Sequence, residues 1–255
     1  MAAAAADEFR HFIYADLYAA TAGFASGNSL GAGGFGEVFS ATLPDGTAVA
    51  IKRIREDALK GHSYAEVRDA FLSEARLMGL ASQGASVAVG SGLHWPLLPL
   101  LGICKGNEED VTQMCLVTPL MAKGNLASHI GLSPRGAPMT GRLRAAAALD
   151  AARGVAALHS LEPERLLHRD IKLENVLLDG ELRAYVADYG LSRLLKSDQT
   201  SVGSFLHGTP GYVAPETVEL GRYSEKVRRG MIQNCPTEGS KRGGGNCWSD
   251  FRCNE

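Results

Sequence analysis

The chain has 255 residues, 45% of them hydrophobic and 21% charged, with a formal net charge of −2. That length and apolar content suffice for one large domain or for two lobes around a cleft. The near-neutral balance, with both signs mixed and no basic stripe, excludes nucleic acid as the main partner.

Five cysteines are too few and too scattered for a disulfide framework. Cys104 and Cys115 lie in apolar, strand-like runs and read as buried free thiols of a reducing compartment. The run Ala2 to Ala6 is too short for a secretory signal and is followed by Asp7 and Glu8. No apolar stretch is long enough to cross a bilayer, and Ala2 stands where N-myristoylation needs glycine. The expectation is a soluble, cytoplasmic chain without a transmembrane segment.

Residues 1–27 read as an Ala-rich leader with some helical pattern from Phe9 onward. Three strand-like segments follow: one running into Leu30-Gly31, one from Glu37 to Leu43, and one from Ala48 to Lys52. Pro44-Asp45-Gly46 predicts a hairpin between the last two. A helix is expected from about Tyr64 to Leu80, with Phe71, Ala75 and Met78 on one face. The small, Gly/Ser-rich stretch Ser82 to Gly92 reads as a loop. Leu98 to Cys104 and Met114 to Thr118 fit two further strands around a polar connection, Lys105 to Val111. Thr140 to Ser160 is the strongest helix, with Thr140 able to cap it and Leu143, Ala147, Ala151, Val155 and Leu158 at helical spacing. Short strands are expected at Asn175 to Leu178 and Ala184 to Ala187, separated by Asp179-Gly180. A mostly β front and a helical rear predict an α+β, two-lobe architecture.

Gly31-Ala32-Gly33-Gly34-Phe35-Gly36 is a G-x-G-x-x-G run. By itself it is weak, because the chain holds 30 glycines and an ordinary glycine-rich hairpin would look the same. A dinucleotide-binding fold needs a helix straight after the glycines, whereas Glu37 to Ala41 reads as a strand. A hairpin of this kind can lie over phosphates with its N–H groups unobstructed. Val49-Ala50-Ile51-Lys52 strengthens that reading, since Lys52 ends an apolar strand and needs an anion. Glu74 on the following helix is the natural carboxylate. Glu66 is a rival, and a lysine snorkelling to water is the plainer alternative.

His168-Arg169-Asp170-Ile171-Lys172-Leu173-Glu174-Asn175 concentrates the chemistry. Asp170 can accept a hydroxyl proton or orient the nucleophile. Lys172 can neutralise charge on a moving phosphoryl group, and Asn175 offers an amide oxygen to a hard cation. Asp188-Tyr189-Gly190 adds a carboxylate, Asp188, suited to Mg²⁺ at the β- and γ-phosphates.

The set G-x-G-x-x-G-x-V, V-A-I-K, H-R-D-x-x-x-x-N, D-Y-G and A-P-E resembles the eukaryotic protein-kinase signature from about Asn28 to Lys226. Lys172 two places after Asp170, and Gly208-Thr209-Pro210-Gly211-Tyr212-Val213-Ala214-Pro215-Glu216, resemble the serine/threonine branch. Phe24 with the glycine loop, Leu100-Leu101-Gly102-Ile103-Cys104, and Ala152-Arg153-Gly154-Val155-Ala156-Ala157-Leu158-His159 are most similar to plant receptor-like kinases and their cytoplasmic relatives. The resemblance implies ATP and Mg²⁺ as cofactors, a protein substrate presenting Ser or Thr, and attachment to a receptor complex at the plasma membrane. It implies that Gly31, Gly33 and Gly36 cover ATP and that Val38, Ala50 and Leu177 sandwich the adenine. Thr118 would be the gatekeeper, and Met121 would present its backbone to the base. Asn175 and Asp188 would hold Mg²⁺, and Asp170, with Lys172, Lys52 and Glu74, would serve transfer. Tyr189 departs from the usual phenylalanine and adds a hydroxyl needing a partner. Gly79 to Trp95 looks longer than usual.

In similar kinases the arginine at the position of Arg169 meets a phosphorylated activation loop. Ser197, Thr200, Ser201, Ser204 and Thr209 are the candidate acceptors, Ser204 foremost by its distance from Gly208-Thr209, while Thr209 fits a role in shaping the substrate site. The resemblance ends near Lys226. Beyond it no apolar periodicity survives, and Cys235, Cys247 and Cys253 fit no zinc spacing. Residues 227–255 read as a disordered tail of out-of-frame or alternative-exon character. The expected organisation is therefore a leader (1–27), an N-lobe (28–118), a partial C-lobe (119–226) and this tail. An incomplete C-lobe predicts exposed apolar surface, an under-anchored catalytic loop and an unpaired Glu216. An inactive nucleotide-binding decoy or scaffold, or an aberrant gene product, is the rival to an active kinase.

Overall fold

The computed structural model describes residues 9–33, 36–59, 63–91, 94–107, 110–130, 139–196, 202–203, 209, 212–213, 217 and 222–223. Its front half is built on a six-stranded sheet in the order β1-β5-β6-β4-β3-β2. These strands are β1 (Arg10–His11), β2 (Ser29–Gly33), β3 (Gly36–Thr42), β4 (Ala48–Ile54), β5 (Gly102–Cys104) and β6 (Cys115–Pro119). Neighbours are antiparallel except β1 and β5. The expected Pro44-Asp45-Gly46 turn joins β3 to β4, Gly46 N–H donating to Leu43 O and Thr47 N–H to the Asp45 side chain.

Side chains on adjacent strand positions point to opposite faces. Phe39, Ala41, Val49, Ile51, Cys115 and Val117 face one way and form a core with Leu17 and Phe24. Cys104 and Cys115 are both buried free thiols in this layer. Val38, Ala50, Lys52 and Thr118 take the alternate positions and so face the cleft.

The segment preceding the glycine loop is part of this unit. β1 joins the sheet edge, and α1 (Tyr14–Ala20) packs Leu17, fully buried, against the core. Burying that one side chain is worth about 2 kcal/mol. The pattern from Phe9 onward thus folds onto the sheet as a strand and a helix.

The helix α2 spans Tyr64–Ser91, which corrects the loop expected over Ser82–Gly92. Alanines sustain the helix, and it has tertiary partners beyond residue 80. Trp95 Nε1 donates to Ala81 O at 2.9 Å, Ser82 Oγ donates to Met78 O at 2.7 Å, and Leu100 N–H donates to Ser82 Oγ at 3.0 Å. The strand expected from Leu98 is also shorter, because Leu97 and Leu98 pair instead with Val186 in the rear lobe.

The rear lobe holds α3 (Gly141–His159), capped by the Thr140 hydroxyl. With it lie β7 (Gly124–Asn125), β8 (Glu164–Leu167), β9 (Val176–Leu178), β10 (Ala184–Val186) and β11 (Arg193–Lys196), and β12 (Val202–Gly203) pairs with β13 (Arg222–Tyr223). Asn175 closes a 3-10 turn, Leu173–Asn175, rather than starting a strand. One apolar core runs from Phe71, Ala75 and Met78 of α2 to Ala147, Ala151 and Leu158 of α3, so the two lobes share it. Among the described residues no helix is long and apolar enough to cross a membrane. Residues 227–255, Glu216 and the expectations attached to them lie outside the described residues.

Candidate active site

Lys52 on β4 is the hub of the cleft's upper wall. Its ammonium lies 2.6 Å from Glu74 Oε1 on α2 and 3.6 Å from Asp188 Oδ1 in the rear lobe. Burial disfavours the charge, but the two carboxylates outweigh it and hold the ammonium pKa above the usual lysine range. The rival carboxylate, Glu66, is engaged elsewhere. It accepts from the Ser63 N–H at 2.7 Å while the Ser63 hydroxyl accepts from Glu66 N–H, a capping box at the start of α2.

The apolar positions expected around a base fall on the strands that flank Lys52 and on β9. Val38 sits opposite Lys52 on β3, and Ala50 sits opposite Thr118. The Thr118 hydroxyl donates to Ala50 O at 3.4 Å. Leu177 rises from β9 in the rear lobe, paired with Asn125 and Tyr185. Met121 follows β6 and accepts from Gly124 N–H through its carbonyl. Gly31, Gly33 and Gly36 lie in the β2–β3 hairpin, with Gly33 opposite Gly36.

The lower wall is a hydrogen-bonded loop. His168 is buried, with Nε2 at 2.9 Å from Ala187 O and Nδ1 accepting from Asp170 N–H at 3.3 Å. These partners call for a neutral Nε2–H imidazole, and burial pushes the His168 pKa down accordingly. Ser192 Oγ donates to His168 O, and Ala187 N–H donates to Asn175 O at 2.9 Å. The segment carrying Asp188 is thereby pinned to the loop carrying Asp170. Tyr189 is fully buried and its hydroxyl donates to Val186 O at 3.2 Å, the partner that its extra oxygen requires.

Asp170 is surrounded by donors. Lys172 Nζ lies 2.9 Å from Oδ2, Asn175 Nδ2 lies 3.0 Å from Oδ2, and Thr209 offers its hydroxyl at 2.7 Å and its N–H at 3.0 Å to Oδ1. Lys172 also donates to the Thr209 hydroxyl at 2.8 Å. Burial raises the carboxyl pKa, but these donors overcome it and hold Asp170 below the usual range. A carboxylate so held is ionised at neutral pH and acts as an acceptor.

Asn175 and Asp188 supply oxygen donors of the hard kind that divalent cations prefer. Both Nδ2 bonds of Asn175 go to Asp170, leaving its Oδ1 for another partner. The Asp188 carboxylate is 48% exposed, open to the cleft beside Lys52. The donor set fits a divalent cation.

Two contributors had no local signal in the sequence. Burial pushes the Arg169 pKa down, Tyr223 opposes it and the charge of Arg193 adds to it. The Tyr223 ring lies over the Arg169 guanidinium at 4.6 Å. Both contacts depend on strand pairings, β8 with β11 and β12 with β13, that sequence spacing does not reveal. Ser197, Thr200, Ser201 and Ser204 lie outside the described residues.

A sheet-rich lobe and a helix-bearing lobe, meeting at a cleft with a lysine above and paired acidic and amide side chains below, define a phosphoryl-transfer fold. The family model of the protein kinase domain matches residues 24–228, most of the chain. The chain belongs to the protein kinase family, whose members use ATP and a divalent metal to phosphorylate proteins.

Proposed function

We propose that this chain transfers the γ-phosphoryl group of ATP to Ser and Thr hydroxyls of protein substrates. The observation that carries the reading is the Asp170–Lys172–Thr209 triangle, closed by contacts of 2.7, 2.8 and 2.9 Å. Asp170 receives or orients the substrate hydroxyl. Lys172, ion-paired beside it, offsets charge on the phosphoryl group, and Thr209 fixes both side chains against the substrate-binding segment. Lys52, steadied by Glu74, holds the nucleotide phosphates, and Gly31, Gly33 and Gly36 cover them. Val38, Ala50 and Leu177 enclose the base, with Thr118 and Met121 at its edge. Asn175 and Asp188 would hold Mg²⁺, which when bound neutralises charge on the β- and γ-phosphates.

Arg169 and Arg193 supply positive charge for a phosphate on the activation segment, Ser204 foremost and Thr200 or Ser201 next. Likeness to plant receptor-like kinases supports a cytoplasmic signalling role with recruitment to a receptor complex at the plasma membrane.

The test is incubation of the purified chain with γ-labelled ATP, Mg²⁺ and a generic protein substrate, followed by phosphoamino-acid analysis. Label on Ser and Thr that vanishes in Asp188→Asn supports the proposal. Label on Tyr alone, or none, removes it and favours the scaffold.

A further inference from the structure

Glycine weakens a helix interior relative to alanine, so a buried glycine within a long helix calls for a packing reason. Gly79 of α2 is such a residue. A Cβ built there would overlap the ring of Phe9, meeting three of its carbons. Gly102 on β5 makes room in the same way, since a Cβ there would overlap Arg10 O and the Phe12 ring. Two glycines, on two separate elements, thus open the space that the segment from Phe9 to Phe12 fills. That segment is fixed independently of α2. β1 pairs with β5, and Phe12 N–H donates to Ile103 O at 2.8 Å.

Glu74 and Gly79 lie on the same unbroken helix, five positions apart. At 100° per residue this places Gly79 about 140° around the axis from Glu74. Phe9 therefore rests on the rear of α2, while Glu74 reaches forward to Lys52 at 2.6 Å.

We propose that Phe9 is a positioning residue: its ring, seated on Gly79, backs α2 and keeps Glu74 on Lys52. The proposal rests on the Lys52–Glu74 pair serving phosphoryl transfer, as argued above.

The test compares Phe9→Ala, Phe9→Leu, Gly79→Ala and the Phe9→Ala/Gly79→Ala pair in the full chain. Three quantities are read: kcat and KM for ATP, the melting midpoint, and the rate at which an aryl sulfonyl fluoride labels Lys52, followed by mass spectrometry. Phe9→Ala is expected to lower kcat about tenfold with less effect on KM, and to speed Lys52 labelling severalfold, because a Lys52 side chain released from its hydrogen bond to Glu74 is more open to the reagent. Phe9→Leu retains most of the bulk and stays within about threefold of the parent in kcat. Gly79→Ala drives the ring off the helix and moves both readouts as Phe9→Ala does. In the double variant the new methyl enters the vacated space, so the two losses do not add.

A lower melting midpoint with kcat and labelling within about twofold of the parent would overturn the proposal, leaving Phe9 a packing residue only. If Phe9→Ala does not fold, Gly79→Ala with parental kcat and labelling overturns it equally. If the parent transfers no phosphate but Lys52 labelling still responds to Phe9, the brace stands and the assigned activity is what fails.

Discussion

Asn175 Nδ2 donates to two oxygens of Asp170 at once, the main-chain carbonyl at 2.9 Å and Oδ2 at 3.0 Å. The amide is thus an internal strut of the catalytic loop as well as an oxygen donor. Asn175→Asp replaces the donor with a carboxylate oxygen facing two acceptors, in a site where Asn175 is only 7% exposed. The variant is expected to lose about 2 kcal/mol of stability, visible in denaturant melts, and at least ~100-fold in kcat. Asn175→Ala should lose comparable activity with a smaller stability cost, because it removes the strut without adding a charge.

Thr209 links Asp170 to Lys172 through one hydroxyl. Thr209→Ser keeps that oxygen and is expected to stay within about threefold of the parent in kcat, whereas Thr209→Val, of similar shape, should lose about 10–100-fold. Steady-state phosphorylation of a peptide substrate reads the difference. Equal activity in both variants would mean that the hydroxyl bridge is dispensable.

The parts of this site that sequence spacing revealed are those whose chemistry is local. Lys52 ends an apolar strand, Asp170, Lys172 and Asn175 fall within six residues, and the helix from Thr140 carries its own cap and periodicity. What spacing did not reveal depends on pairing between distant segments. The Ser82–Ser91 stretch looks like a loop by composition, yet it continues α2, whose Ala81 and Ser82 accept hydrogen bonds from Trp95 and Leu100. Arg193 reaches the neighbourhood of Arg169 only because β11 pairs with β8. The contact of Phe9 with Gly79 joins residues seventy positions apart, and no periodicity reports it.

His168 gives the fold a pH dependence with a definite sign. Its burial holds the folded-state pKa below the ordinary 6.5, so below that pH the unfolded chain takes up a proton that the folded chain refuses. Between the two pKa values the unfolded state binds more protons, and stability falls as pH falls. The contribution is fully present above about 6.5 and is lost as pH drops toward the folded value. The melting midpoint should therefore decline from pH 7 to pH 5, and the decline should be shallower in His168→Gln, which does not titrate in that range. Equal slopes in the two proteins would show that other groups govern the acid limb.

The seam between the lobes offers a prediction in which two effects of one methyl group oppose each other. Gly154 lies buried in α3 against the segment that leads from α2 to β5. A Cβ there would sit 2.7 Å from Pro96 O, 2.9 Å from Val186 Cγ2 and 3.2 Å from Leu97 Cδ2. Pro96 O cannot swing aside, because it accepts from Val186 N–H at 2.9 Å while Leu98 N–H donates to Val186 O at 2.9 Å. Alanine would favour the helix by about 1 kcal/mol, but overpacking against fixed backbone costs about 1–3 kcal/mol. The clash is with a main-chain atom rather than the end of a flexible side chain, so the steric cost should win. Gly154→Ala is expected to lower the melting midpoint by a few degrees, and Gly154→Val by more. A raised midpoint in Gly154→Ala would mean that the seam yields by several tenths of an ångström, and that the lobes are joined less rigidly than their paired backbones indicate.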